Sequence, residues 1–422
     1  MKGSPVPPTT DLWRTCLVSA RWFQGKGLPV RGIVIDPLPW YTGDGDVMVR
    51  SELARVQVGE TSETYHLLAG YLPLGQAEPD ALVGQTELPG HGLRDVVDAP
   101  RSARAMAAFL AAVTSPGTPG VTWIESPPPP DAPTKVFAGE QSNTTVRVGH
   151  DVLFKMFRHL NPGPNIEASM MAALRDSGIT PRLVGTLSTQ DGAFDLGLFA
   201  QRIRGATDGW KYCVDAFGRG RTIDDEMHAL GVTLRRLHGH LAAVFGTAIV
   251  DGRTIAAQML SRLDAACEQV AELNDIKEGL GAILDLGEAP VEVQRVHGDF
   301  HLGQTLWAPD GWKIIDFEGE PLKTPAERAA PDAVWRDVAG LLRSIDYARH
   351  HETGADDDAG RGWYGSARRA FLDGYLGGDV VPQAMLTAYE VDKAVYELVY
   401  ETRNRPAWAR IPRAAIMDAL GR

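Results

Sequence analysis

Val296-His297-Gly298-Asp299-Phe300-His301-Leu302-Gly303-Gln304, followed by Ile314-Ile315-Asp316-Phe317-Glu318-Gly319-Glu320-Pro321, decides how this 422-residue chain is read. Gln304 stands five residues after Asp299, and Asp316 twelve residues after Gln304. Phosphoryl transfer asks little covalent work of a protein. It needs a carboxylate to orient the attacking hydroxyl and oxygen ligands to hold magnesium against the β- and γ-phosphates. A loop carrying Asp299 and an oxygen ligand, then a strand ending in a second carboxylate, supplies those parts in order. A zinc or iron site is the rival reading, because His297, Asp299 and His301 alternate like ligands, but no cysteine or other histidine-rich stretch completes it. A satisfied core loop is the bland alternative. Two histidines, two aspartates and a glutamine between apolar strands are costly to bury without partners.

Upstream, Gly139-Glu140-Gln141-Ser142-Asn143-Thr144-Thr145 lies between two short β runs, just before Lys155. Backbone N–H groups and hydroxyls in such a turn can cradle phosphates. Taken alone, a mid-strand lysine is more often an exposed edge charge. Here the order loop, Lys155, Glu167, Asp299, Asp316 is that of a kinase, with Glu167 the natural partner of Lys155. No Walker A motif competes: near Phe23-Gln24-Gly25-Lys26-Gly27, Ala20 stands where the first glycine belongs and Gly27 where Ser or Thr should be.

Near the end, Lys393 to Arg405 reads as a helix stopped by Pro406. Ala394, Val395, Leu398, Val399 and Thr402 form its apolar side; Lys393, Glu397, Tyr400, Glu401 and Asn404 share the other. Lys393–Glu397 and Glu401–Arg405 are i,i+4 pairs, as on any solvated salt-bridged face. Two tyrosines among acids and arginines would equally suit a polyhydroxyl ligand, and the residues alone leave both readings open.

The rest of the chain frames these signals. Asp11–Phe23 is amphipathic, and Arg31–Asp36, Ala54–Val58 and Tyr65–Leu72 are β-rich runs. Ala103–Val113 is an Ala-rich helix, and the prolines of Pro127–Pro130 mark a loop. Lys135–Ala138, Thr144–Val148 and Val152–Phe157 read as strands. Beyond about residue 206 the pattern is helical, with Met227, Leu230, Leu234, Leu237, Leu241 and Phe245 in one stripe. Strands return around Gln294–Val296 and Trp312–Ile315. The outline is α+β and bilobal, with a connector at Leu198–Gly205. Three parts follow: residues 1–90, 91–205 and 206–422. A net charge of −12 argues against a nucleic-acid partner. No apolar run reaches the roughly 18–20 residues of a membrane span, and the N-terminus lacks a signal peptide, so the expected setting is the cytoplasm. Cys16, Cys213 and Cys267 are expected as reduced thiols.

At this point a family is recognisable. RWFQGKG (21–27), GEQSNTTVRVG (139–149), LFKMFR (153–158), RGATDGW (204–210), HGDFHLGQTLW (297–307), IIDFEGEP (314–321) and YELVYETRNRPAWARIP (396–412) together resemble the maltokinases, relatives of the aminoglycoside phosphotransferases. The motifs span nearly the whole chain. The resemblance implies a bilobal, eukaryotic-protein-kinase-like fold with an N-terminal cap, an intermediate part completing the N-lobe and a helical C-lobe. It implies ATP-dependent phosphorylation of maltose at its anomeric hydroxyl, giving maltose 1-phosphate for α-glucan synthesis. Asp299 then matches the catalytic carboxylate, and Asp316 with Gln304, where the wider superfamily has Asn, the magnesium ligands. Ser142, Asn143 and Thr144 fall in the phosphate loop, Lys155 and Glu167 in the ATP-anchoring pair, and Gln201 and Ile203 in the adenine hinge. His301, Glu318, Tyr400, Glu401 and Arg405 fall near the sugar. Pro164-Asn165-Ile166-Glu167 is a little shorter than the family's pattern. Glucosamine kinases share HGDFH but carry DFDG where this chain has Asp316-Phe317-Glu318-Gly319, which favours maltose; a kinase for another sugar or amino sugar, such as glucosamine, is the alternative. A non-catalytic relative would have lost Lys155, Asp299 or Asp316, and all are present. A monomer is expected, and an association with trehalose synthase, which makes maltose, rests on the resemblance alone.

Overall fold

The computed structural model describes residues 9–43, 45–137, 142–320, 323–351 and 358–421. Two compact units divide the chain: Met1–Ala172 with Pro181–Arg204, and Ala173–Thr180 with Gly205–Arg422. The first begins with helix α1 (Thr9–Ser19) and strands β1 (Val30–Thr42), β2 (Met48–Val58), β3 (Thr61–Pro73), β4 (Leu82–Leu88) and β5 (Gly92–Asp98). Helix α2 (Ala103–Val113) follows, then β6 (Val121–Trp123), β7 (Thr134–Val136), β8 (Thr144–Val148), β9 (Val152–Met156) and β10 (His159–Leu160). Helix α3 (Ile166–Ala173), β11 (Leu183–Ser188) and β12 (Asp195–Gln201) complete it.

One antiparallel sheet has the order β1-β2-β3-β5-β4, with β10 also on β3; the other runs β6-β11-β12-β9-β8-β7. Strand β3 explains its own unbroken apolar stretch, because alternate side chains face opposite sides and both sides are covered. Tyr65, Leu67, Ala69 and Tyr71 join Trp13 and Leu17 of α1 in one core. The alternate residues face the other way, where Gly70 is so close to α2 that a Cβ would lie 2.7 Å from that of Ala105. Helix α2 is shared by the two sheets: the ring of Phe109 lies 5.1 Å from Tyr41 and 5.5 Å from Phe154. Helix α1 ends at Ser19, short of the Asp11–Phe23 span that the sequence indicates, and its Trp13 donates to the fully buried Glu52 at 2.9 Å.

The second unit comprises β13 (Thr207–Asp208), α4 (Gly209–Gly218), α5 (Asp224–Phe245), β14 (Thr247–Asp251), α6 (Gly252–Cys267), α7 (Lys277–Leu284) and β15 (Pro290–Gln294). It continues with β16 (Thr305–Ala308), β17 (Gly311–Ile314), α8 (Pro325–Ala329), α9 (Trp335–His350), α10 (Asp358–Leu376), α11 (Gln383–Asn404) and α12 (Arg410–Ala419). Strands β13, β16 and β17 form one small sheet, and β14 pairs with β15. The stripe on α5 is buried from Met227 to Leu241, but Phe245 is exposed. Helices α5 and α10 meet backbone to backbone: a Cβ on Gly231 would lie 2.2 Å from the Phe371 carbonyl oxygen. Among the described residues no helix is long and apolar enough to cross a membrane, and Cys16, Cys213 and Cys267 are free thiols.

A polar seam joins the two sheets of the first unit. Arg158, between β9 and β10, holds Asp98 through two bonds of 3.0 and 3.1 Å and stacks 4.8 Å from the Trp22 ring. Its carbonyl accepts from the His66 N–H at 2.8 Å. The His66 ring is fully buried and linked at both nitrogens. Nδ1 lies 3.2 Å from the Leu196 carbonyl, which can only accept, so Nδ1 carries the proton; Nε2 accepts from Ser51 Oγ at 2.7 Å. Burial, then the Arg158 charge, push its pKa down from 6.5 to about 3. The folded protein therefore binds fewer protons here than the unfolded chain between those values. The stability this histidine contributes is complete above about pH 6.5 and is lost as pH falls towards 3. Urea unfolding of His66→Gln between pH 6.5 and 4.5 is expected to show a shallower loss of stability than the parent, by up to about 1.4 kcal/mol per pH unit. Equal slopes would contradict the buried neutral ring.

Candidate active site

The loop before Asp299 is organised by a carboxylate inside the second unit. Asp337, in the first turn of α9, is fully buried, which by itself raises a carboxyl's pKa. The donors that surround it hold it below the ordinary range instead: His238 Nε2 at 3.0 Å and the backbone N–H groups of His297 and Gly298 at 2.8 and 2.9 Å. Those amides are committed to a side chain, and β15 ends at Gln294, short of Val296. The Tyr375 hydroxyl lies 2.9 Å from His238 Nδ1, which steadies the ring that faces Asp337. Gly298 has φ of +85°, where a side chain would be strained. Gly340 lets α9 come against the loop, since a Cβ there would lie 2.5 Å from the Phe300 carbonyl oxygen.

His297 ties this loop to the next strand. Its Nε2 donates to the Ile315 carbonyl at 3.0 Å, while Nδ1 lies 3.4 Å from the Asp299 N–H. With both nitrogens so directed, and His301 Nδ1 accepting from Gly303 N–H at 3.1 Å, the alternating histidines do not converge on a zinc or iron site. Asp316 has φ of +64°, the one non-glycine residue in the left-handed region among those described. Its Oδ2 accepts from Gln304 Nε2 at 3.1 Å, and its carboxylate has an oxygen within 4.8 Å of one on Glu318. These are hard oxygen donors at a strand end. They fit magnesium, with Gln304 Oε1 the amide atom able to ligate it.

The side chain of Asp299 meets Lys393 of α11, whose Nζ lies 3.4 Å from Asp299 Oδ1 and 3.3 Å from Glu320 Oε1. Glu320 also takes Arg336 at 2.8 Å and Lys323 at 3.6 Å. Burial alone would raise the Glu320 pKa, but Lys393, Arg336 and Lys323 pull it down to about 2. Lys393 is driven the other way, above the usual lysine range: burial would lower it, and Asp299 and Glu320 outweigh that. Arg336 further donates to the Gly298 carbonyl at 3.1 Å and to Asp332 at 3.1 Å.

Lys393, Glu397 and Glu401 follow one another at helical spacing along α11. Glu397 pairs with buried Arg343 at 2.9 Å. Glu401 is 2% exposed and held by Arg405 at 2.6 and 2.9 Å, while Tyr400 is 43% exposed with the Arg405 guanidinium 5.6 Å from its ring. In the first unit, Lys155 on β9 pairs with Glu167 on α3 at 2.7 Å. Asn143 Oδ1 accepts from the Arg158 N–H at 3.0 Å and Thr144 Oγ1 from Arg158 Nε at 2.7 Å, so both side chains serve the seam; Ser142 precedes them, and Gly139, Glu140 and Gln141 lie outside the described residues. Gln201 closes β12, its N–H donating to the Arg182 carbonyl at 2.8 Å, and Ile203 follows two residues later.

Sequence reasoning missed Asp337, Glu320 and Arg336, and it put Lys393 on a polar face without a task. The available signals were slight. Asp337 is an acid heading the apolar run Val338–Leu342, which reads as an ordinary helix start.

Comparison with known proteins agrees with this architecture. Residues 133–375 match the phosphotransferase enzyme family and residues 17–101 the maltokinase N-terminal cap domain. A glucosamine kinase of Streptacidiphilus jiangxiensis is 30% identical over 316 residues, covering 67% of this chain and 72% of that protein. One from Mycolicibacterium smegmatis is 27% identical over 389 residues, covering 82% and 94%. A solved glucosamine kinase in complex with glucosamine, ADP and inorganic phosphate superposes with a TM-score of 0.68 over 98% of this chain and 99% of that one, at 22% identity. The chain belongs to the phosphotransferase enzyme family: it is a kinase of the aminoglycoside-phosphotransferase-like fold with a maltokinase-type N-terminal cap, transferring phosphate to an alcohol group.

Proposed function

We propose that this kinase phosphorylates maltose at its anomeric hydroxyl with ATP, giving maltose 1-phosphate and ADP for α-glucan synthesis. The carrying observation is the 3.4 Å contact between Asp299 and Lys393, because it sets the polar face of α11 beside the carboxylate that would orient the acceptor. From Lys393 to Glu401 that face rises about 12 Å, enough for two linked sugar rings. The maltokinase cap match at residues 17–101 supports the same reading. The observation favouring a second reading, glucosamine as acceptor, is that relatives at 27% and 30% identity are glucosamine kinases.

In this reading Asp299 orients the anomeric O–H and takes its proton as that oxygen bonds to the γ-phosphorus and the bond to ADP breaks. Gln304 and Asp316 would hold magnesium, which neutralises charge on the nucleotide phosphates when bound. Lys155, oriented by Glu167, would anchor the phosphates, joined by the loop containing Ser142, Asn143 and Thr144. Backbone groups at Gln201 and Ile203 would meet adenine. His301, Glu318, Tyr400, Glu401 and Arg405 would line the sugar, the last two as a preformed pair. The parts would be a cap over 1–90, an intermediate part over 91–205 and a helical part over 206–422. The setting would be the cytoplasm, where an association with trehalose synthase would supply maltose directly.

Asp299→Asn is expected to keep the fold and lower turnover by roughly 10²–10⁴, the range for a positioned acid–base group. A variant retaining half the parent activity would remove Asp299 from the mechanism. A panel of sugars with ATP and magnesium, read by phosphorus NMR, is expected to give an anomeric phosphate on maltose and much slower reaction of glucose and glucosamine. Faster turnover of glucosamine than of maltose would overturn the maltose assignment.

A further inference from the structure

The wall around Asp299 is rich in charge, and each of its carboxylates has a cation of the protein against it, some cations serving two. Of the carboxylates there, Asp299 faces Lys393 at 3.4 Å, and Glu320 faces Lys393 and Arg336 at 3.3 and 2.8 Å. Asp392 is held by Arg262 through two bonds of 2.8 and 2.9 Å. Asp332 takes Arg336 at 3.1 Å and the Tyr389 hydroxyl at 2.5 Å. Further along α11, Glu397 has Arg343 and Glu401 has Arg405. Each of these acids is already met by a cation from the protein itself, and the cation beside the reacting carboxylate is an ammonium.

That arrangement has a consequence for the acceptor. A sugar bearing an ammonium group needs a carboxylate to receive it. On this wall it would instead have to displace an existing partner or lie against Lys393, and like charges in a partly buried site repel strongly. A neutral hydroxyl meets no such penalty. It can accept from Lys393 and donate to Asp299, so the same pair serves as a donor–acceptor fork for a polyol. Lys393 is poorly placed to relieve the conflict by losing its proton, since Asp299, Glu320 and Glu397 all favour its charged form.

We infer that Lys393 is a specificity-determining residue that restricts the acceptor to neutral sugars and rejects amino sugars by charge. The inference deepens the proposed function and shares its placement of the acceptor at Asp299. Asp316 lies on the strand end assigned to the metal, and Glu318, a sugar-lining residue in the proposed function, neighbours it there and lies outside the wall around Asp299 and Lys393.

The test is calorimetric titration of the full chain with maltose, glucose and glucosamine, which reads binding even where turnover is lost. With the amine protonated, the parent should bind glucosamine at least tenfold more weakly than glucose. That ratio should narrow at least fivefold in Lys393→Met and persist in Lys393→Arg, which keeps the charge. Without any variant, raising the pH until the amine is neutral should strengthen glucosamine binding several-fold while leaving glucose unchanged. The inference is overturned if the protonated amino sugar binds the parent as well as glucose does. It is overturned equally if Lys393→Met leaves the ratio unchanged, or if pH moves both sugars together. Should another neutral sugar bind better than maltose, the maltose assignment falls, and the glucosamine-to-glucose ratio still decides the role of Lys393.

Discussion

The buried carboxylate of Asp337 is the constraint on which the loop carrying Asp299 depends. It is fully inaccessible, and a charge in that setting survives only if its oxygens are met by donors. Three are supplied, and two of them are backbone N–H groups of the residues just before Asp299. The loop therefore has no freedom to relax into an ordinary strand exit. The position of Asp299 is inherited from the interior of helix α9, steadied in turn by His238 from α5 and Tyr375 from α10.

A second theme is the use of charge in matched sets. Lys393, Arg336 and Lys323 together override the burial of Glu320 and keep its carboxyl near the bottom of the carboxylate range. Helix α11 also sets its acids against cations, Glu397 on Arg343 and Glu401 on Arg405, although at Glu397 burial outweighs Arg343 and Lys393 and raises the carboxyl's pKa. The first unit solves a different problem by the same means: Arg158 and His66 carry the join between two sheets that have no continuous hydrogen-bonded edge in common. The geometry of Arg158 also fixes Asn143 and Thr144, at the start of β8.

How far this was legible in the sequence depended on range. Local spacing carries local facts: the periodicity of Met227 to Leu241 gives α5, and Ala103–Val113 gives α2 to the residue. Asp299, Gln304 and Asp316 stood out in the sequence because phosphoryl transfer would need a carboxylate and oxygen ligands in such an order. The structure brings Gln304 and Asp316 to 3.1 Å of one another. The Lys155–Glu167 pairing was readable for the same reason, although the segment before Glu167 is short. Long-range partnerships were not. Nothing in Val334-Trp335-Arg336-Asp337 announces that its acid will cap a loop 39 and 40 residues earlier. Lys393 and Asp299 are 94 residues apart, and only the fold makes them neighbours. The very short strands β13 and β14, and the first part of β15, escaped because two- to five-residue ladders leave no period to read. Glu401 illustrates the intermediate case: its i,i+4 relation to Arg405 was visible, but not that the acid itself is buried.

The most direct test of the account is the turnover of Asp337→Asn under saturating substrates, with the folded fraction fixed by circular dichroism. An amide side chain matches the carboxylate in shape but cannot accept from all three donors at once, so the loop must shift or leave a backbone N–H unpaired. A misplacement on the order of 1 Å costs about 10²-fold in rate. The account predicts a folded variant that has lost about that factor in turnover. A folded variant turning over at the parent rate would contradict it.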